Sequence, residues 1–306
     1  MTTEPAPPDP RPVQRPGDGW VECRCGARHW GRYGAAGLLL STGPQPSRPT
    51  RVVLQHRARW SHFGGTWGLP GGAVDPGETA VAGALREAAE EAGIPATAVT
   101  VRATYVLDHG DWAYTTVLAS AAEPVEPVVS DPESLEVAWV ELDEVRHRPL
   151  LPAFEDALPT LREMVGRRLV LVVDAANTVG SRPDGWWRDR AGATARLRDE
   201  LAELAVAGLP AADVGLPGGT WFPEIVLVTE GQARDVAPVP GVQVVPAPGP
   251  GDDEVLAQAW RATGGGSDDV VVITADRELR RRVEAVGAQT AGPRLVLYPI
   301  GRSSGA

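Results

Sequence analysis

Gly72-Ala-Val-Asp-Pro-Gly-Glu78-Thr-Ala-Val-Ala-Gly-Ala-Leu-Arg86-Glu87-Ala-Ala-Glu90-Glu91-Ala-Gly93-Ile94 is the stretch on which the reading of this chain turns. Asp75-Pro76-Gly77 is turn chemistry. A helix is expected from Glu78 to Ala92, with Glu78 against the positive end of its dipole and Gly93 as its stop. Glu87 and Glu91 stand four residues apart and Glu90 three from Glu87, so one helix face collects like charges that repel one another. A hard divalent cation relieves that repulsion, and oxygen-rich clusters suit Mg2+ or Mn2+. Arg86 is placed to brace the cluster. The plainer alternative is a solvated acidic face, which most charge runs are. Two details weigh against it. Leu85, Ala88 and Ala92 give only a thin apolar stripe, and Gly83 costs about 1 kcal/mol relative to alanine in a helix interior, which implies a close packing contact.

The segment resembles the Nudix box, G-x5-E-x7-R-E-U-x-E-E-x-G-U with U aliphatic, through Gly72, Glu78, Arg86, Glu87, Glu90, Glu91 and Gly93. Trp67-Gly-Leu-Pro-Gly-Gly72 looks like the entry strand and turn of that family, and Glu136-Val-Ala-Trp139-Val-Glu-Leu-Asp143 like its closing strand. The resemblance covers about residues 32–150. It implies an α+β Nudix fold, a mixed sheet sandwiched by helices, and a Mg2+- or Mn2+-dependent pyrophosphohydrolase. Its substrate would be a nucleoside diphosphate joined to a second group: a nucleoside triphosphate, a modified nucleotide or a nucleotide sugar. By the same resemblance Glu87, Glu90 and Glu91 hold metal with the Gly71 carbonyl, and Glu87, Glu91 and Arg86 belong to the catalytic set. The water-activating base comes from the box helix or a later loop, where Glu136 and Glu133 are the candidates. Arg57, at the end of the preceding strand, is a candidate phosphate contact. Trp67 is the candidate base-stacking ring, with Trp60, Phe63 and Trp112 as further aromatics that a small sheet more often keeps for its core.

Outward from this stretch, the chain has 306 residues, a length that favours two domains. A net charge of −11 argues against a broad nucleic-acid or anionic-membrane surface. Lysine is absent, so every strong cation is an arginine. No run approaches the roughly 20 apolar residues of a membrane helix, and the Pro-rich start lacks the apolar core of a signal peptide. The expectation is a cytoplasmic protein with no membrane partner; nothing in the sequence fixes its oligomeric state. Residues 1–19 read as a disordered tail and 20–165 as the Nudix-like domain, with strands near 35–40, 52–57, 99–107, 114–120 and 136–140 and a helix over 150–164. From 166 to 301, apolar strands at 169–173, 225–229, 242–245, 270–274 and 295–298 alternate with helices at 191–207, 253–263 and 277–286. That pattern implies a separate α/β domain with a mainly parallel, Rossmann-like sheet.

In this second half Asp174 and Asn177 follow a buried strand, where open parallel sheets place ligands. Asp252 and Asp253 open a helix, and Asp276 follows another strand. Singly, each aspartate reads as a helix cap. Together they resemble the PIN/NYN-type nucleases, in particular the YacP-like branch, with Asp174, Asn177, Asp253 and Asp276 as a second acidic site and RNA as its implied partner. A nucleotide-sensing Nudix module coupled to such a ribonuclease is the alternative overall function. The aromatic and arginine-rich run 181–190 suits a structured loop, or a contact to single-stranded nucleic acid. Cys23, Cys25 and His29 fall short of a structural zinc site in ligand number and in cysteine spacing.

Overall fold

The computed structural model describes residues 15–45, 48–183, 185–264 and 268–297. The chain divides into two compact units. The first takes in the described residues up to Thr42, with Thr50–Thr100 and Val106–Pro159; the second takes in Gly43–Pro49, Val101–Tyr105 and the chain from Thr160.

The first unit begins with a hairpin of β1 (Trp20–Glu22) and β2 (Arg28–Trp30), a two-stranded sheet of its own. Next comes β3 (Ala35–Thr42), apolar and buried over nearly its whole length. It runs antiparallel to β4 (Arg51–Arg57) only at its end, at Ser41↔Val52 and Thr42↔Arg51. The two short strands β5 (Trp67–Gly68) and β6 (Gly71–Ala73) lead into α1 (Ala80–Ala92). Thereafter follow β7 (Val99–Asp108), β8 (Ala113–Ala121), β9 (Ser134–Glu141) and α2 (Pro152–Met164), of which Val101–Tyr105 in β7 and the end of α2 from Thr160 count to the second unit. β3 is parallel to β8 and antiparallel to β6, while β4 is antiparallel to β5 and β9, so the sheet is mixed. α1 lies on β3, β6 and β8 through Gly83, Ala84, Ala88 and Ala92. These small side chains bring the helix close to the sheet, and a Cβ at Gly83 would already meet Glu78 at 3.2 Å.

The second unit contains β10 (Arg168–Asp174), α3 (Ala175–Gly180), α4 (Arg190–Ala207), β11 (Leu209–Pro210), β12 (Thr220–Trp221) and β13 (Glu224–Thr229). It continues with β14 (Val242–Pro246), α5 (Gly251–Thr263), β15 (Asp268–Ile273), α6 (Arg277–Glu284), β16 (Gln289–Ala291) and α7 (Arg294–Leu297). Its main sheet has the order β14-β13-β10-β15-β16 with every pairing parallel. Val170, Val172, Val270 and Val272 share a core with Val255 and Ala259 of α5 and Leu279 and Val283 of α6. Strand alternation sends Leu169, Leu171 and Val173 to the opposite face, and these are buried too.

Four expectations need correction. Residues 15–19 are held in place, Gly17 donating its N–H to Asp75 Oδ1 at 2.8 Å; the rest of the expected tail lies outside the described residues. α1 starts at Ala80, not at Glu78, because the Thr79 hydroxyl caps it by accepting from the Ala82 N–H at 3.1 Å. Residues 175–180, where the sequence pattern places no helix, form α3. The last parallel strand is Gln289–Ala291, too polar to read as a strand, whereas residues 294–297 turn into a short helix behind Pro293, a residue suited to helix starts. Tyr298, the end of the strand expected there, lies outside the described residues.

Candidate active site

The Arg86 guanidinium organises the acidic helix. Its Nε and Nη2 each donate to one oxygen of Glu78 at 3.0 Å, Nη2 also reaches the Ala73 carbonyl at 2.9 Å, and Nη1 donates to Glu87 Oε1 at 2.7 Å. Glu78 therefore acts through this planar fork and not through the helix dipole. The guanidinium, joined by the Asp75 N–H, holds its carboxyl below the usual range. Burial pushes Glu87 up despite the Arg86 contact. Gly72 belongs to the same arrangement, since a Cβ there would stand 2.8 Å from the Glu87 carboxyl carbon.

Glu91 lies deeper, at 8% exposure. One oxygen accepts the Gly71 N–H at 2.8 Å. Burial, reinforced by the neighbouring Glu87, pushes its pKa to about 8. Around it the fold gathers two carboxylates from the loop before β9: the ligand oxygens of Glu91, Asp131 and Glu133 all lie within 4.8 Å of one another. The loop is tied to the end of α1, Val128 and Ser130 donating N–H bonds to the Ala92 and Glu91 carbonyls at 3.0 and 3.1 Å. A relay fixes Asp131: buried Gln55 of β4 donates to the Ser134 hydroxyl at 2.8 Å, which donates to Asp131 at 2.7 Å. Glu133 is partly buried, and desolvation with Asp131 raises its pKa. Oxygen donors converging from two elements around a buried glutamate suit a divalent cation.

Other sequence candidates fall differently. Glu90 is exposed and bonded to Arg15, with Arg86 at 3.4 Å, at the edge of the cluster. Glu136 is exposed on β9 opposite His56 and stands outside the group around Glu91. Asp131 was not anticipated; its signal was the Asp-Pro-Glu run of a turn. Arg57 donates to the His62 carbonyl at 3.0 Å, and its charge reaches both Glu91 and Glu133. Trp67 is 5% exposed, stacked on His56 at 4.8 Å with the Arg148 guanidinium 4.1 Å from its centroid. It is a core ring here, which corrects its reading as a stacking platform. Trp60 is exposed, while Trp112 is engaged with His29.

In the second unit Asp174 caps α3, accepting from the Asn177 N–H at 3.0 Å and from the Thr274 hydroxyl at 3.0 Å. Burial raises its pKa, with contributions from Asp252 and Glu230. Asn177 Oδ1 accepts the Ala275 N–H, and Asp276 caps α6. Asp253 turns to Arg282 at 2.6 Å, while burial, with the charge of Asp276, raises the pKa of Asp252. Among the described residues these aspartates form no three-ligand group of the kind found at Glu91. Trp186 and Trp187 of the aromatic run sit in a short 3-10 turn before α4, with Arg190 over Trp186; Asp184 lies outside the described residues.

Residues 34–163 match the NUDIX domain family. Over 150 residues the chain is 51% identical to a nucleoside triphosphate pyrophosphatase/Nudix hydrolase fusion protein of Bifidobacterium longum, covering 48% of this chain and 31% of that protein. It is 50% identical over 156 residues to a Mycobacterium tuberculosis protein provisionally named 8-oxo-dGTP diphosphatase 3, covering 49% of this chain and 71% of the relative. Among solved structures, a Nudix hydrolase from M. smegmatis is 51% identical with a TM-score of 0.44, covering 48% of this chain and 94% of that one. The chain thus spans less than a third of the Bifidobacterium relative and most of the other two.

Proposed function

This chain belongs to the Nudix hydrolases, enzymes that act on phosphorus-containing anhydrides, and we propose that it is a Mg2+-dependent pyrophosphohydrolase cleaving the diphosphate linkage of a nucleotide. The observation that carries the reading is the convergence of Glu91, Asp131 and Glu133 within 4.8 Å, with Glu87 near enough for its charge to act on Glu91. When bound there, a divalent cation neutralises pyrophosphate charge and acidifies water. Glu87 and Glu91 would hold it, with Glu90 at the rim and the Gly71 carbonyl as a further donor. Arg86 positions Glu87. Arg57 supplies positive charge for substrate phosphate. Glu133 takes the proton of the attacking water, since a carboxylate whose pKa is raised is a better base near neutrality.

The test is product analysis after incubation with Mg2+ and a panel headed by 8-oxo-dGTP, the compound for which the mycobacterial relative is named. Release of a nucleoside monophosphate with pyrophosphate or a phosphate-bearing fragment is expected. No turnover of any nucleotide, or full activity in Glu87→Gln and Glu91→Gln, defeats the reading.

Asp174, cross-bonded to Asn177 and Thr274 at the carboxyl end of a parallel strand, favours a second activity for the other unit, that of a PIN/NYN-like ribonuclease. Under that reading Asp174→Asn abolishes RNA cleavage, and cleavage that survives it rules the ribonuclease out.

A further inference from the structure

We propose that Cys23, Cys25 and His29 form a zinc site, separate from the carboxylate centre, that staples the amino-terminal hairpin. Three-residue strands in a two-stranded sheet are marginal by themselves. What holds this hairpin's turn is a short loop in which Cys23 bonds the Ala27 carbonyl through its N–H at 3.1 Å and the Gly26 N–H reaches the Cys23 carbonyl at 2.9 Å. Gly26, at φ +87°, lets the chain reverse in so few residues.

The result brings three donors together. Cys25 Sγ is 3.1 Å from His29 Nε2, and the Sγ of Cys23 lies with both inside 4.8 Å. Donors on one tetrahedral zinc, with bonds of about 2.0–2.3 Å, stand about 3.5–3.8 Å apart. The observed spread brackets that geometry, so closure on an ion needs only small side-chain rotations. The Cys-x-Cys spacing, one residue short of the common pattern, is offset by this tight turn. Both thiols are unbridged.

The segment between β7 and β8 fixes the donors from outside. Trp112 stacks on the His29 ring at 4.2 Å and 8°, while its Nε1 donates to the Trp30 and Gly31 carbonyls at 3.1 Å. The His109 ring is 4.6 Å from His29, its carbonyl is 3.6 Å from Cys23 Sγ, and Asp111 takes the Arg24 N–H and guanidinium at 2.9 Å. The stacked Trp112 ring fixes the plane of the imidazole and keeps His29 Nε2 beside the Cys25 thiol. Thiolate and imidazole donors select zinc over the magnesium suited to Glu91. Binding releases the thiol protons to solvent as the two Zn–S bonds form, and a solvent molecule completes the shell.

The test uses the full chain, expressed with zinc, purified reduced and desalted without chelator. Elemental analysis should find one equivalent of zinc, released by a mercurial that blocks thiols. Cobalt(II) in its place should give the thiolate charge-transfer band and the intense visible bands of a tetrahedral site. Cys25→Ser and His29→Gln, each checked for fold by circular dichroism, should lose the metal, while Glu87→Gln keeps it. A folded, reduced chain without zinc, zinc retained in both hairpin variants, or a cobalt complex without the thiolate band would overturn the proposal.

Discussion

Glu91 places a carboxyl with a pKa near 8, against an ordinary 4.5, at the centre of the site. In the metal-free protein the folded chain holds this proton more tightly than the unfolded one. Stability linked to Glu91 is therefore complete below about pH 4.5 and drains away as pH rises towards 8. Metal-free Glu91→Gln should melt higher than the parent at pH 8, with the gap closing at pH 5, and Mg2+ should raise the parent's Tm at pH 8 but not the variant's. Scanning calorimetry at the two pH values checks it; a gap independent of pH refutes it. In activity, Glu91→Gln should lose more than the roughly 10–100-fold that removing an outer partner such as Arg86 costs. Glu133→Gln should lower kcat by about 10²–10⁴-fold as loss of a general base does, with Glu136→Gln near the parent. Reversed effects in the two loop variants would move the base to β9.

The helix that carries these residues is held at both ends by identifiable contacts. Thr79→Ala removes the side-chain cap and should cost about 1 kcal/mol in urea unfolding. Gly93 ends the helix at φ 64°, and a Cβ there would meet Val128 Cγ2 at 2.7 Å, so Gly93→Ala strains the backbone and pushes on the loop that delivers Asp131 and Glu133. That variant should lose activity as well as stability, whereas Thr79→Ala should lose stability alone. Kinetics at a temperature where both remain folded distinguish the two; equal kcat/KM in both would detach the loop from the helix end. This element, apart from its Thr79 cap, was legible beforehand because its signals are local: turn, glutamate spacing and terminal glycine lie within one segment. The hairpin 20–30 was not, since three-residue strands have too few alternations to register.

Two units, each with its own core and its own buried carboxylate, make the chain. Among the described residues no helix is long and apolar enough to cross a membrane. Among the described residues, none of the groups bonded to Asp174 is bonded to Glu91. Changes without shared partners add to within about 0.5 kcal/mol, so Asp174→Asn should alter nucleotide hydrolysis by no more than about twofold. A larger loss in that variant, measured on the best nucleotide of the panel, would mean that the two centres work as one.

The sequence by itself determined the box helix and the alternation that yields a parallel sheet from Arg168 onward, because each rests on periodicity within a continuous segment. Tertiary structure decided the rest. It chose Asp131 and Glu133 over Glu136 as the acids at Glu91, buried Trp67 against His56 and Arg148, and turned Asp253 away to Arg282. It also set Trp112 against His29 and closed Cys23, Cys25 and His29 on one another. The physical reason is that these groups meet only through loops whose path is fixed by distant backbone hydrogen bonds, and no spacing along the chain encodes where such a loop comes to rest. Thus the glutamates of residues 87–91 announce a site, and the fold selects which carboxylates complete it.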